Sequence, residues 1–170
     1  AELSTRLWAA APCGVPFLRV ATMSLALFHA DEVLLAVDKP AGLLAVPGRG
    51  ADKQDCLAAR VRARWPDALV VHRLDMATSG LMLFARGAAV QRRLSMDFAA
   101  RRIEKHYVAL VHGRPAQDRG RIDLPLAADW PQRPRQKVDP ARGKASITDW
   151  QLLDFDAQRQ IARLALQPLT

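Results

Sequence analysis

The side chains best suited to chemistry lie in His72-Arg73-Leu74-Asp75-Met76-Ala77-Thr78-Ser79-Gly80, which sets a carboxylate among a cation, an imidazole and two hydroxyls. An ionised carboxylate at the mouth of a crevice can act as a nucleophile or move protons, and neighbouring donors can orient it. The block is flanked by two apolar runs, 68–71 and 81–84, which read as strands ending in a shared crevice. Asp75 then falls where a buried strand gives way to a loop, a costly place for a charge that nothing answers. Arg73, two residues earlier, shares its face if the strand continues, and is expected to pair with it; His72, Thr78 and Ser79 can donate hydrogen bonds. Taken alone, an Arg-x-Asp reads equally as a buried pair that fixes a turn.

Positioning such a group requires a core, and 170 residues, half of them apolar, are enough for one domain. The apolar run 33–37 ends at Asp38-Lys39-Pro40-Ala41-Gly42, where proline and glycine stop a strand and turn the chain. Asp52 or Asp55 is placed to cap a helix on which Leu57, Val61 and Trp65 recur every four residues, and Pro66 ends it. A second helix is predicted over 88–102, with Val90, Leu94 and Phe98 on one face. Its Arg92, Arg93, Arg101 and Arg102 form a solvated face or a phosphate contact.

Beyond it, 107–111 reads as a strand, 112–144 as loops or short hairpins, and 146–155 and 161–167 as two antiparallel strands joined near Asp156-Ala157-Gln158. The run Arg133, Arg135, Lys137, Arg142, Lys144 is opposed only by Asp139 and follows Trp130, a combination that suits a phosphate backbone and an unstacked base, or a basic loop without order. The sum is an α+β fold, a mixed, largely antiparallel sheet with flanking helices.

A net charge of +8 makes a polyanion the natural partner. Cys13 and Cys56 are too far apart for a Cys-x-x-Cys pair, and His29, His72, His106 and His112 lack ligand spacing, so no metal and a reducing cytoplasm are expected. No apolar stretch is long enough to span a membrane. Residues 1–22 follow no period, and Pro12, Pro16 and Arg19 break the apolar core a signal peptide needs; they read as a non-core extension before a natural start at Met23, with the domain over 23–170.

The block His72-Arg73-Leu74-Asp75-x-x-Thr78-Ser79-Gly80 resembles the signature of the RluA-type pseudouridine synthases, in which the aspartate is the nucleophile. Asp38-Lys39-Pro40-Ala41-Gly42-Leu43-Leu44 is similar to that family's lysine-proline-glycine segment, and Lys105-His106-Tyr107-Val108-Ala109-Leu110-Val111 to its lysine-tyrosine strand. Asp123-Leu124-Pro125-Leu126 and the segment from Trp130 to Val138 resemble the branch that modifies both tRNA and large-subunit ribosomal RNA.

The resemblance implies isomerisation of uridine to pseudouridine in a tRNA anticodon stem-loop, a 23S ribosomal stem-loop or both, without a cofactor. It implies Asp75 as nucleophile, acting on the ribose or on the uracil ring, and Tyr107 stacked on the flipped base. Arg73 would fill the vacated space, and His72, Lys105, Arg133, Arg135 and Lys137 would join it in contacting RNA. In the family a stretch like Gln167-Pro168-Leu169-Thr170 leads into an arginine segment that pairs with the aspartate, so the chain reads as stopping short of it, with sheet edges left open to a second copy. Two other functions remain: an RNA-binding fragment without catalysis, and a hydrolase using Asp75 with His72, for which the chain offers no serine elbow.

Overall fold

The computed structural model describes residues 25–132 and 135–170, so the expectations for residues 1–22 and for Arg133 lie outside the described residues. Strands β1 (Leu27–Ala30), β2 (Leu34–Lys39), β3 (Ala68–Val70) and β4 (Gly80–Arg86) form one antiparallel sheet in the order β1-β2-β4-β3. Its centre follows from alternation: Leu35 lies opposite Phe84 and Val37 opposite Met82, and all four are fully buried. Helix α1 (Leu57–Arg64) lays Leu57, Ala58 and Val61 on that face, closing a cluster with Ala45, Cys56 and Ala68. Each large apolar side chain so enclosed contributes about 1.5–3 kcal/mol. Helix α2 (Ala88–Ala99) packs against β3 and β4.

The second sheet is larger. β5 (Tyr107–His112), β6 (Arg119–Ala128), β7 (Gln136–Val138), β8 (Lys144–Asp156) and β9 (Ile161–Pro168) run in the order β5-β9-β8-β6-β7, every neighbour antiparallel. The α+β class therefore holds, with two antiparallel sheets where the sequence pointed to one. Tyr107 lies on an edge strand of the second and is not hydrogen-bonded to the strands around Asp75.

Three local expectations change. Residues 119–128, read as loop or short hairpin, form the ten-residue β6, which pairs with β7 as a hairpin and also sets eight residues in register with β8, a gain invisible to a local reading. Helix α1 is capped by Cys56, whose Sγ accepts from the Ala59 amide at 3.4 Å. Neither predicted aspartate serves: Asp55 is held by Arg60 at 2.7 and 2.8 Å, and the amides of Leu57 and Ala58 donate to the carbonyls of Leu44 and Ala45. Helix α2 stops at Ala99, where Arg101 takes a left-handed φ of 58° and the Arg102 amide turns back to the Asp97 carbonyl.

Candidate active site

Strands β3 and β4 lie side by side and leave residues 71–79 as the loop between them, with Asp75 exposed in it. The loop is fastened from several directions. The Thr78 amide donates to the Asp75 carbonyl at 3.0 Å, closing a turn. The next carbonyl, that of Met76, accepts from the Gly42 amide at 2.8 Å and from Lys39 Nζ at 3.2 Å. Gly42 donates from a φ of 87°, a conformation that favours glycine.

Lys39, the last residue of β2, has no exposed surface, and its ammonium also donates to the carbonyls of Leu43 at 2.7 Å and Pro40 at 3.1 Å. Burial lowers its pKa, while the negative charges of Asp75 and then Asp38 act the other way. Sequence reasoning passed over this residue as a site group. Its signal was a lysine closing an apolar strand just before proline and glycine.

Tyr107 comes from the other sheet. Its hydroxyl pKa is raised first by burial and then by the nearby negative charge of Asp75, so it stays protonated and able to donate at neutral pH. The carboxylate is thus the point at which the end of β2 and the start of β5 meet electrostatically.

The remaining predicted residues divide. Arg73 is exposed, but the expected pair with Asp75 does not form: β3 ends at Val70, so the alternation that would align the two side chains does not continue. Among the described residues no cationic nitrogen lies within 4.0 Å of the Asp75 carboxylate. His72 turns inward: Nε2 accepts from the Leu83 amide at 3.0 Å and the ring stacks on Phe98 at 4.6 Å. Burial lowers its pKa and favours the neutral imidazole that an accepting nitrogen requires. Lys105 donates to the Thr170 carbonyl at 3.3 Å.

Arg135 and Lys137 are exposed beside and on β7, at the opposite edge of the second sheet from Tyr107. Four strand spacings separate those edges, about 19 Å. Between them, an open groove of about 620 Å³ is lined by residues from Tyr107 through Leu166 and Trp150 to Arg119 and Arg121, and the ladder register sets the two arginine side chains on the sheet face opposite the Tyr107 and Trp150 rings. Trp150 lies flat across Gly120, where a Cβ would stand 2.8 Å from its ring.

A sequence profile described as RNA pseudouridylate synthase matches residues 33–170. The dual-specificity RNA pseudouridine synthase RluA of Salmonella typhi is 43% identical over 146 residues, covering 86% of this chain and 66% of that protein. The protein of the same name from Escherichia coli K12 is 42% identical over the same shares, and that from Vibrio cholerae 43% identical over 80% of this chain and 56% of its own length. The chain therefore spans a little under two thirds of the curated relatives it matches. Among solved structures, human RNA pseudouridylate synthase domain containing 1 superposes with a TM-score of 0.69 at 24% identity, over 86% of this chain and 60% of that one. Human RNA pseudouridylate synthase domain containing 4 gives 0.66 at 22% identity, covering 85% and 59%. At such identities the likeness carries the fold.

Proposed function

The chain belongs to the RNA pseudouridylate synthase family, and from that premise we propose that its protein isomerises uridine to pseudouridine in structured RNA with Asp75 as nucleophile. The observation that carries this reading is the exposed Asp75 carboxylate on a loop fastened by Lys39 and Gly42, with Tyr107 within range of its charge.

The reaction breaks the bond from ribose C1′ to uracil N1, turns the base and joins C1′ to C5; C5 loses a proton and N1 gains one. Nothing is oxidised, so the protein's work is to hold, turn and attack. A carboxylate can attack C1′ as the glycosidase nucleophiles do, or add to the uracil ring. A uridine inside a stacked helix is out of reach, so it must be flipped toward Asp75, where the Tyr107 ring can stack on it. Arg73, exposed on the same loop, is free to enter the space the base leaves.

The relatives named dual-specificity enzymes support a stem-loop target in tRNA, large-subunit ribosomal RNA or both. The exposed Arg135 and Lys137 suit its backbone at a distance from the reacting base, and Lys105 lies two residues before Tyr107. His72 serves the site indirectly, by tying the loop to β4 and α2. A cytoplasmic location is part of this proposal, in keeping with the bacterial relatives; separately, no helix among the described residues is long and apolar enough to cross a membrane.

The test is pseudouridine labelling of an anticodon stem-loop and a ribosomal stem-loop incubated with the protein at its natural length. Asp75→Asn keeps the shape and should lower turnover by at least about a thousandfold while leaving RNA affinity within about threefold. Full turnover in that variant would sink the assignment.

A further inference from the structure

The ammonium of Lys39 is the one fully buried charge among the described residues, and it cannot touch RNA. It has three N–H donors, and the carbonyls of Pro40, Leu43 and Met76 take all three. A neutral donor could make bonds of this kind without the cost of burying an ion. What an ammonium adds is its charge, and among the described residues no carboxylate pairs with it within 4.0 Å.

The charge is bonded to the turn that carries Asp75. Met76, one of its three acceptors, is the residue after Asp75, and the Gly42 amide shares that acceptor. We propose that Lys39 is a positioning residue for Asp75: its ammonium pins the turn that carries the carboxylate and supplies the fixed positive charge facing it. The inference rests on Asp75 as nucleophile and adds that the attacking group is prepared from beneath by a residue that never meets substrate. The charged and titratable groups around the turn are Lys39 and Asp38 on β2, Tyr107 on β5, and His72 and Arg73 in the loop itself. Lys39 is the only cation of this set inside the fold. The opposing influence of Asp75 on the burial-lowered Lys39 pKa agrees with this.

The experiment is the pH–rate profile of pseudouridine formation by the natural-length protein and three variants. Lys39→Gln keeps amide donors and loses the charge; its acid limb should move to higher pH, with turnover at neutral pH down about tenfold. Gly42→Ala disturbs the same turn without changing a charge, and should lower turnover while leaving the limb in place. Lys39→Arg keeps the charge in a different shape and should also leave the limb in place. A wild-type limb in Lys39→Gln, or a limb displaced equally in Gly42→Ala, would overturn the inference. If Lys39→Gln does not fold, Lys39→Arg decides, since a displaced limb with the charge retained excludes the charge as its cause. An inactive wild type, or an active Asp75→Asn, would instead overturn the nucleophile assignment on which the inference stands.

Discussion

Beneath β1–β4, ten side chains from three strands, a helix and their connections form one closed cluster, Leu35, Val37, Met82 and Phe84 among them. The five strands of the other sheet bury only Ala162 and Leu164. Partners in an antiparallel ladder share a face, so Tyr107, Leu166, Trp150, Leu152, Ile122, Leu124 and Val138 all lie on one side. Ile122 and Val138 are 46% and 50% exposed on that side. The opposite side carries Arg121, Asp149, Arg163 and Asp154. Asp75, the proposed nucleophile, is thus held by the part of the molecule that has its own core. The tyrosine and the distal cations are presented by a part held mainly through ladder hydrogen bonds and cross-strand pairs. Attack needs an immobile carboxylate, whereas contact with a long, bending RNA needs area and charge.

The sharpest way to break this comparison is to open a cavity on each side of it. Phe84→Ala removes a fully buried ring and should cost about 3–5 kcal/mol in urea unfolding. Leu164→Ala, at 8% exposure in the centre of the second sheet, should cost less, about 2–3 kcal/mol. Equal losses would mean that the two sheets are equally well packed.

Acid separates the halves more gently. Burial lowers the His72 pKa, so as pH falls the unfolded chain takes up this proton first. The stability linked to His72 is full above its unfolded pKa of about 6.5 and declines as pH falls from there through the folded value. The urea midpoint should therefore drop between about pH 7.5 and 5.5, and drop less in His72→Gln. An identical drop in both proteins would remove His72 from the account.

The smallest effect should come from the second sheet's surface. Arg121 meets Asp149 through two hydrogen bonds of 2.6 and 2.9 Å, both side chains open to solvent. Arg121→Ala should leave the melting midpoint unchanged within error, because solvent screens such a pair. If the same variant weakens RNA binding in a salt-dependent way, the face of the second sheet that carries Arg121 is a recognition surface.

Much of the local architecture was legible in advance. The apolar run 81–84 lies inside β4, the four-residue recurrence of Leu57 and Val61 inside α1, and the two alternating terminal stretches became β8 and β9, joined just after Asp156. The motif around Asp75 pointed to a family that the profile match over 33–170 bears out. The local reading failed where pairing partners are distant: Arg119, Arg121, Asp123 and Pro125 interrupt the apolar residues of β6, which is a strand because β8 lies beside it. It failed also where one group displaced another, as when the Leu44 and Ala45 carbonyls took the helix amides and left Asp55 to Arg60.

The sequence by itself determined the periods, the turns and the chemical types gathered around Asp75, because each depends on neighbours within a few residues. Only the tertiary structure decided that Arg73 stands apart from that carboxylate, that His72 faces inward, and that Lys39 lies buried against the Met76 carbonyl. The Lys39–Met76 contact joins residues 37 positions apart in the chain. Whether a charge is buried, and which carbonyls answer it, depends on the surfaces that close over it, and no local pattern records them.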